Sequence, residues 1–298
     1  FLNEGDEVLI TVMEHHANIV PWQLLRAEKG IVLKVAPIDD DGNFLMDEFE
    51  ALLSNKTKIV SVPHISNVLG TVLPVEEIIR KSHAAGAKVL IDGCQSVPHT
   101  KIDVQALGAD FYIFSSHKLY GPTGIGVLWA PLDILNSMPP YQGGGEMIDR
   151  VTFEETTFQP APHRFEAGTP AIIEAVGFGA AINYIEEIGL DNIAAHEIGL
   201  LQYATERLKS IEGLSIIGNA DDKASIISFV MDDAHISDIG TIIDRAGVAI
   251  RTGHHCAQPL MDRFGIPGTA RASFGLYNTK EEVDALYDSL VLVKEMFA

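Results

Sequence analysis

Residues 88–118 read KVLIDGCQSVPHTKIDVQALGADFYIFSSHK, and two short apolar runs in this stretch predict β-strands, Lys88–Ile91 and Asp110–Ser115. Similar runs predict further strands at Glu7–Val12, Ile31–Ala36, Lys58–Pro63 and Gly124–Ala130. Segments with apolar positions at helical spacing alternate with these strands, and they are Ile19–Lys29, Met46–Ser54 and Val75–Ala85. Such alternation is typical of an α/β domain with a mostly parallel sheet.

The second half of the sequence follows a different pattern. Pro131–Pro170 is rich in Pro, Gly and Thr and lacks periodicity, which predicts an irregular loop-and-hairpin connection. Helices and short strands are then predicted at Ile172–Ile188, Asn192–Glu212, Leu214–Ile217, Ser225–Met231 and Ile236–Ala246. We therefore predict two domains, a large α/β domain over residues 1–170 and a smaller α+β domain over residues 171–298.

The composition argues against several classes of function. The chain has 298 residues, with 21 Lys+Arg against 41 Asp+Glu and a formal net charge of −20. Nucleic acids and anionic membranes are poor partners for such a chain, because both require clustered basic residues. No apolar run approaches the roughly 18–20 residues that span a bilayer. Two cysteines in a chain of this size exclude a disulfide framework and predict a reducing, cytoplasmic setting.

Two chemically useful side chains follow adjacent predicted strands. Asp92 comes directly after Lys88–Ile91, and Lys118 comes shortly after Asp110–Ser115. Ligands collect at the carboxyl ends of parallel strands, so both side chains are expected at one edge of the sheet. A lysine there can form a Schiff base with an aldehyde cofactor, and a buried aspartate can keep a pyridine nitrogen protonated. The pair predicts a pyridoxal-phosphate site, although a structural ion pair would also explain it.

Neighbouring residues favour the cofactor interpretation. Ser115, Ser116 and His117 supply donors suited to a phosphate, and the glycines in Gly121–Gly124 allow a close backbone turn. His15 follows the first predicted strand, where an imidazole could stack on a flat ring or move a proton. With His16 it could instead form a metal pair, or both could be surface residues. Asn67, after the third strand, could bond a ring hydroxyl or simply form a turn.

A possible nucleophile lies in the second half of the chain. The sequence RTGHHCAQP, residues 251–259, places Cys256 beside histidines and near Arg251. A thiol in such surroundings is a candidate reactive cysteine. The histidines and the cysteine could also bind a metal, but three adjacent residues rarely point at one ion, so we predict no metal site. Arg271 is suited to bidentate capture of a carboxylate or to an ordinary ion pair.

The motifs MEHHANIVPW, SNVLG, IDGCQ and SSHKLYGPTG resemble those of the class V aminotransferase-type cysteine desulfurases, and the resemblance runs from end to end of the chain. It implies the PLP-transferase fold type I, with pyridoxal 5'-phosphate as cofactor in the large domain. It further implies that Asp92 pairs with the ring nitrogen, that Lys118 carries the cofactor and that His15 stacks on the ring. Asn67 and Gln95 would lie near the ring 3-oxygen or the substrate.

The same resemblance extends to the phosphate and to the second half. Ser115 and His117 would hold the phosphate, and Thr169 would reach a phosphate across a homodimer. Without the family, Thr169 is a helix N-cap before Pro170. The motif RTGHHCA is similar to that of group II enzymes, which include selenocysteine lyases.

These likenesses imply a substrate and a set of partners. Cys256 would take sulfur from L-cysteine, or selenium from L-selenocysteine, while Arg271 and Arg251 bind the substrate. The resulting persulfide would pass to a sulfur-acceptor protein, as in iron-sulfur cluster assembly. Cys94 has no cationic neighbour in sequence and is interpreted as a packing residue.

One departure from the family concerns the start of the chain. Relatives have about a hundred further residues before the position of Phe1, including a glycine-and-threonine loop at a helix N-terminus that binds the phosphate. We therefore expect a chain without its N-terminal segment to retain the cofactor weakly. Alternative functions are a selenocysteine lyase, a kynureninase-like hydrolase, an epimerase or an inactive fragment of such an enzyme.

Overall fold

A computed structural model describes residues 2–297, so Phe1 and Ala298 lie outside the described residues. Its strands, in chain order, are β1 Glu7–Thr11, β2 Val32–Ala36, β3 Thr57–Pro63, β4 Lys88–Asp92, β5 Phe111–Ser115, β6 Gly126–Trp129, β7 Ile148–Val151, β8 Thr156–Phe158, β9 Leu214–Ile217, β10 Ile226–Met231, β11 Arg251–Gly253 and β12 Thr269–Ser273. Its α-helices are α1 Val20–Lys29, α2 Met46–Leu52, α3 Val75–Ala84, α4 Val104–Leu107, α5 Leu132–Ser137, α6 Ile172–Ile188, α7 Leu190–Lys209, α8 Ile236–Arg245, α9 Gln258–Phe264 and α10 Lys280–Phe297. Short 3-10 turns occupy His16–Asn18, Ser116–Lys118 and His163–Phe165.

The first half of the chain builds a six-stranded sheet in the order β2-β1-β3-β4-β5-β6. The first five strands run parallel, and β6 is antiparallel to β5. The direction of the strand order reverses between β1 and β3, which is the place where ligands bind in open α/β sheets. The loops after β1, β3, β4 and β5 leave the sheet at this carboxyl edge.

The second half builds an antiparallel sheet in the order β11-β12-β10-β9. Helices α7, α8 and α10 pack against it, and their apolar faces bury Leu200, Ile239, Ile243 and Leu290. Helix α9 behaves differently, because its buried residues Leu260 and Met261 join the core of the large sheet. The segment that follows Cys256 is therefore packed against the first half of the molecule.

The predicted elements agree with the structure to within a few residues, and the fold class is the mixed α/β architecture that the sequence indicated. The segment 131–170 does contain a hairpin, β7–β8, but it also begins with helix α5, which lacks the length for a periodic signal. Thr169 is not a helix N-cap, because α6 begins at Ile172 after Ala171 and no side chain caps it. The division into residues 1–170 and 171–298 stays a prediction.

One close approach shapes the carboxyl edge of the large sheet. At Gly93, directly after β4, a Cβ atom would lie 2.1 Å from the ring of Tyr112, so only glycine fits this turn. Gly30 ends α1 with a positive φ of 71°, as the sequence predicted for a helix stop.

Within residues 2–297, no helix has both the length and the apolarity to cross a bilayer.

Candidate active site

Four loops at the carboxyl edge of the large sheet supply the predicted site residues. His15 lies in the loop after β1, Asn67 in the loop after β3, Asp92 at the end of β4 and Lys118 in the turn after β5. The parallel strands place these loops side by side, because each strand ends at the same edge. The sequence prediction that Asp92 and Lys118 follow neighbouring strands matches the pairing of β4 with β5.

His15 links these loops electrostatically. Its pKa is lowered by burial and by the positive charges of Lys118 and Arg251, while Asp92 opposes this effect. His15 Nδ1 accepts a hydrogen bond from the Ala17 backbone N–H at 3.1 Å, so the neutral ring carries its proton on Nε2.

Asp92 has one carboxylate oxygen committed to the chain. Its Oδ1 accepts a hydrogen bond from the Cys94 backbone N–H at 2.9 Å, which leaves Oδ2 available to a partner. Burial, followed by the charge of Asp92, raises the pKa of Cys94 to about 12. Cys94 is therefore a poor nucleophile, in agreement with its interpretation as a packing residue. Gln95 is half-buried in the same turn.

Polar groups suited to an anion cluster after β5. Ser115 Oγ and His117 Nδ1 lie 2.8 Å apart. Ser116 Oγ is buried and has no hydrogen-bond partner among the described residues. A buried hydroxyl without a partner is uncommon, and it marks a site that a ligand or water can satisfy. Thr169 is exposed and, within residues 2–297, forms no hydrogen bond with this cluster.

Two arginines of the small sheet face each other near the cysteine. Arg251 on β11 and Arg271 on β12 are directly opposite in the register of the antiparallel pair. Like charges in this arrangement repel each other, and a bound anion would relieve the repulsion. Burial, with the charge of Arg251, lowers the pKa of Arg271 to about 10. Arg271 Nε is buried and has no partner among residues 2–297, while Nη1 donates to the Asn67 carbonyl oxygen at 2.7 Å.

Cys256 lies in a strained loop between β11 and α9. His255 and Cys256 both have positive φ angles, 52° and 58°, a conformation that non-glycine residues adopt at an energetic cost. Arg251 Nη2 lies 3.5 Å from Cys256 Sγ and donates toward it. A guanidinium in this position stabilises negative charge on sulfur.

The strained loop is anchored on both halves of the molecule. Asn67 Nδ2 donates to the His255 carbonyl oxygen at 2.8 Å, and His255 Nε2 lies 3.0 Å from the Thr269 carbonyl oxygen. On the other side, the His16 backbone N–H donates to the Cys256 carbonyl oxygen at 2.6 Å. These bonds bring the cysteine loop to the same edge as Asp92 and Lys118.

Sequence reasoning missed one titratable residue of the site, Glu14. Its carboxyl is fully buried and accepts hydrogen bonds from the Thr11 backbone N–H, the Thr11 hydroxyl and Asn18 Nδ2. Asn18 Oδ1 in turn accepts from Trp22 Nε1 and Ser61 Oγ. This network fixes the loop that carries His15 and His16.

Burial raises the pKa of Glu14 to about 8, with a smaller contribution from Asp92. The native state therefore keeps this proton between pH 4.5 and pH 8, where the unfolded chain has lost it. Stability contributed by Glu14 must fall as pH rises through this window, by about 1.4 kcal/mol per pH unit at most. We expect the unfolding free energy of the wild type, relative to Glu14→Gln, to decrease between pH 5.5 and pH 7.5 in urea titrations.

The exposed Glu28→Gln provides the baseline for this comparison, because it makes the same chemical change on the surface of α1. If the unfolding free energies of the wild type and Glu14→Gln differ by the same amount at every pH, Glu14 ionises as readily in the native state as in the unfolded chain.

The structure thus brings the loops that carry His15, Asn67, Asp92, Lys118 and Cys256 to one edge of the large sheet. Within residues 2–297, no hydrogen bond joins Thr169 or Gln95 to another predicted site residue. Among residues 2–297, no group of three or more His, Cys, Asp or Glu side chains is arranged to hold a metal ion. The alternative of a metal pair at His15 and His16 would leave one ring nitrogen of each for a metal, because the other accepts a hydrogen bond from a backbone N–H.

Comparison with known proteins identifies the family. Residues 1–286 match the family model described as aminotransferase class-V. The chain is 52% identical over 294 residues to a probable cysteine desulfurase of Mycobacterium leprae, covering 99% of this chain and 48% of that protein. It is 50% identical to a probable cysteine desulfurase of Halalkalibacterium halodurans, covering 73% of that protein. The chain spans about half the length of the first of these relatives.

Solved structures agree with this assignment. The cysteine desulfurase CsdA of Escherichia coli superposes with a TM-score of 0.96 at 37% identity, over 100% of this chain and 74% of that one. An apo cysteine desulfurase of Thermococcus onnurineus gives a TM-score of 0.94, also at 37% identity, over 99% of this chain and 74% of that one. The predicted fold type is confirmed by these superpositions. The chain belongs to the class-V aminotransferase family and is similar throughout its length to the cysteine desulfurases of that family.

Proposed function

We propose that the chain carries the catalytic centre of a pyridoxal 5'-phosphate-dependent cysteine desulfurase, which converts L-cysteine to L-alanine and passes the sulfur to Cys256. The observation that carries this proposal is the position of Cys256. Its loop is bonded to the loops after β1 and β3 through His16 and Asn67, so the thiol shares one edge of the sheet with Lys118 and Asp92. A hydrolase or an epimerase would not need a thiol there.

The residues at the edge of the large sheet fit the cofactor. Lys118 would bind its aldehyde carbon, and the free Oδ2 of Asp92 would pair with the ring nitrogen. Ser115 and His117 would bind the phosphate. When bound, the cofactor supplies an electron sink beside the α-carbon of an amino acid.

The other predicted contacts of the ring and phosphate belong to the same proposal. Gln95 and Asn67 would contact the ring 3-oxygen or the substrate, and Asn67 keeps Oδ1 and one N–H free for this task. The side chain of His15 would lie against the ring face. Thr169 would reach the phosphate of a second copy.

The small-sheet arginines would bind the substrate. Arg271 has an unpartnered buried N–H and stands opposite Arg251, so a carboxylate there would satisfy a donor and separate two like charges. Held in this way, the substrate presents its sulfur toward Cys256. The bidentate geometry of a guanidinium fixes the carboxylate in orientation as well as position.

Three side chains would each carry out one part of the reaction. The Lys118 amine would remove the α-proton, and neutral His15, with its proton on Nε2, would exchange a proton with the substrate thiol. Cys256 thiolate would attack the substrate sulfur, so that the carbon–sulfur bond breaks as the sulfur–sulfur bond forms. The balance is L-cysteine plus Cys256 thiol giving L-alanine plus Cys256 persulfide. L-selenocysteine would make the same demands on these residues.

Two partners and a location belong to the same proposal. A second copy of the chain is supported by the apolar residues Ile172, Ile173 and Val176 on α6, which are exposed by 59%, 83% and 71%. A sulfur-acceptor protein thiol would take the persulfide, because a free persulfide is reactive. A cytoplasmic location is supported by the unpaired state of both cysteines, Cys94 and Cys256.

The proposed function is tested by loading the purified chain with pyridoxal 5'-phosphate and supplying L-cysteine with a thiol reductant. We expect alanine and sulfide in equal amounts. Pyruvate and ammonia in place of alanine would indicate β-elimination and would contradict the desulfurase mechanism. Absence of any product from a chain that has bound the cofactor would also contradict it, and an absorbance titration measures that binding independently.

A further inference from the structure

His16 makes two hydrogen bonds to the cysteine loop, and the proposed reaction assigns it no chemical role. Its backbone N–H donates to the Cys256 carbonyl oxygen at 2.6 Å, and its Nε2 accepts from the Gln258 backbone N–H at 3.0 Å. The second bond joins residues that are 242 positions apart in the sequence. His16 therefore contacts the loop at the Cys256 carbonyl and again two residues further along the chain.

The loop needs such support because its backbone is strained. His255 and Cys256 occupy the left-handed region in succession, and a strained backbone persists only where its surroundings over-determine it. Asn67 and Thr269 secure the loop before the thiol, through the carbonyl and the ring of His255. After the thiol, among the described residues, the His16 imidazole is the one side chain that accepts a hydrogen bond from the backbone of residues 256–258.

We propose that His16 is a positioning residue that holds Cys256 in its reactive geometry. This inference rests on the proposed function, since it concerns the delivery of the thiol to the substrate sulfur. The imidazole fixes the chain at Gln258, two residues beyond the thiol, while the His16 backbone fixes the Cys256 carbonyl. Together with the Asn67 bond to the His255 carbonyl, these bonds hold the backbone before and after Cys256 Cα, and Arg251 Nη2 donates toward its sulfur.

The requirement is a hydrogen-bond acceptor at the position of Nε2, and this suggests a matched set of variants. In His16→Gln the Oε1 atom can occupy nearly the same place as Nε2, so the bond to Gln258 is retained. In His16→Asn the acceptor lies one bond closer to the backbone and falls short. His16→Ala removes the acceptor altogether. All three variants retain the backbone bond to Cys256, so they isolate the role of the side chain.

His235 supplies a control for the general effect of losing a histidine cap. It is exposed and accepts from the Ser237 backbone N–H at the start of α8 through Nδ1, at 3.3 Å. His235→Ala therefore removes a comparable bond at a helix start outside the site. Its effect measures what loss of a cap does to the protein without any change at the cysteine loop.

The first measurement is amide hydrogen exchange at Gln258, which requires no catalytic activity. We expect exchange about tenfold faster in His16→Ala and His16→Asn than in the wild type, with His16→Gln close to the wild type. Amides of the central strand β3 should be unaffected in all variants. Unchanged exchange in His16→Ala, or exchange in His16→Gln as fast as in His16→Ala, would overturn the proposal.

The second measurement is the rate of alanine formation by the cofactor-loaded protein. A misplaced nucleophile lowers kcat by about ten- to a hundredfold, while KM changes little because the arginines still bind the carboxylate. His16→Gln and His235→Ala should keep the wild-type kcat. Equal losses of kcat in His16→Gln and His16→Ala would overturn the proposal. If the wild type forms no alanine, the proposed function fails, while hydrogen exchange still decides whether His16 holds the loop.

Discussion

Replacement of Cys256 by serine is expected to abolish sulfur transfer while leaving the cofactor attached. A hydroxyl in the same position is a weak nucleophile toward sulfur and, unlike a thiol, carries almost no negative charge at neutral pH. We expect alanine formation to fall by at least about a thousandfold, since no other described thiol is placed to replace it. Mass spectrometry of the wild type after a single turnover should show one additional sulfur atom on the peptide that contains Cys256.

Cys94 is the matched control for this replacement. It is the only other cysteine of the chain, and burial together with Asp92 raises its pKa to about 12. Cys94→Ser should therefore keep the sulfur acceptor and most of the activity. Undiminished alanine formation by Cys256→Ser would contradict the persulfide mechanism. Additional sulfur on the Cys94 peptide of the wild type would contradict the assignment of the acceptor.

Replacement of Lys118 by alanine is expected to remove both covalent attachment of the cofactor and activity. The amine is the group that would bind the aldehyde carbon and remove the α-proton, so its loss affects two steps at once. We expect activity to fall by at least about ten-thousandfold. After treatment with borohydride, the wild type should gain the mass of the reduced cofactor on Lys118, and the variant should gain none.

Lys88 provides the corresponding control. It lies at the start of β4, the opposite end of the strand from Asp92, and pairs with Asp110 at 3.1 Å. Lys88→Ala removes a lysine of similar exposure without touching the carboxyl edge, so it should keep covalent attachment. Attachment of the cofactor to Lys118→Ala, or its loss from Lys88→Ala, would contradict the assignment.

Much of the fold was predictable because its elements are local. The six strands of the large sheet are short apolar runs, helical patterns separate the first four of them, and both signals are contained within about ten residues. The position of Asp92 and Lys118 at one edge of the sheet was also predictable from the sequence, because parallel strands end on the same side. Helix α5 was not predicted, since six residues are too few to display a helical period.

The cysteine loop could not be placed from sequence patterns in the same way. Asn67 and His255 are 188 positions apart, and His16 and Gln258 are 242 apart. No periodicity or local motif encodes such a pairing, which depends on how the two sheets pack. The family resemblance suggested that Cys256 reaches the site. The hydrogen bonds that hold it there, including those of His16, are visible only in the three-dimensional structure.

The buried network around Glu14 was missed for a related reason. A carboxyl in the loop after a strand gives no local sign of whether it faces solvent or the interior. Its partners Thr11 and Asn18 are close in sequence, but Ser61, which completes the network through Asn18, lies on β3. The neighbouring strand must be in place before the burial of Glu14, and hence its raised pKa, can be recognised.

The separation of the loop from its anchors also bears on the order in which the protein is assembled. During synthesis the loops after β1 and β3 emerge long before residues 251–258, and domains generally fold in the order in which they are made. The thiol finds its fixed points only when the late segment docks on a sheet that has already formed. In a newly made chain the strained loop is therefore secured only after the loops of the large sheet have emerged, and its last anchor, Thr269, emerges after the loop itself.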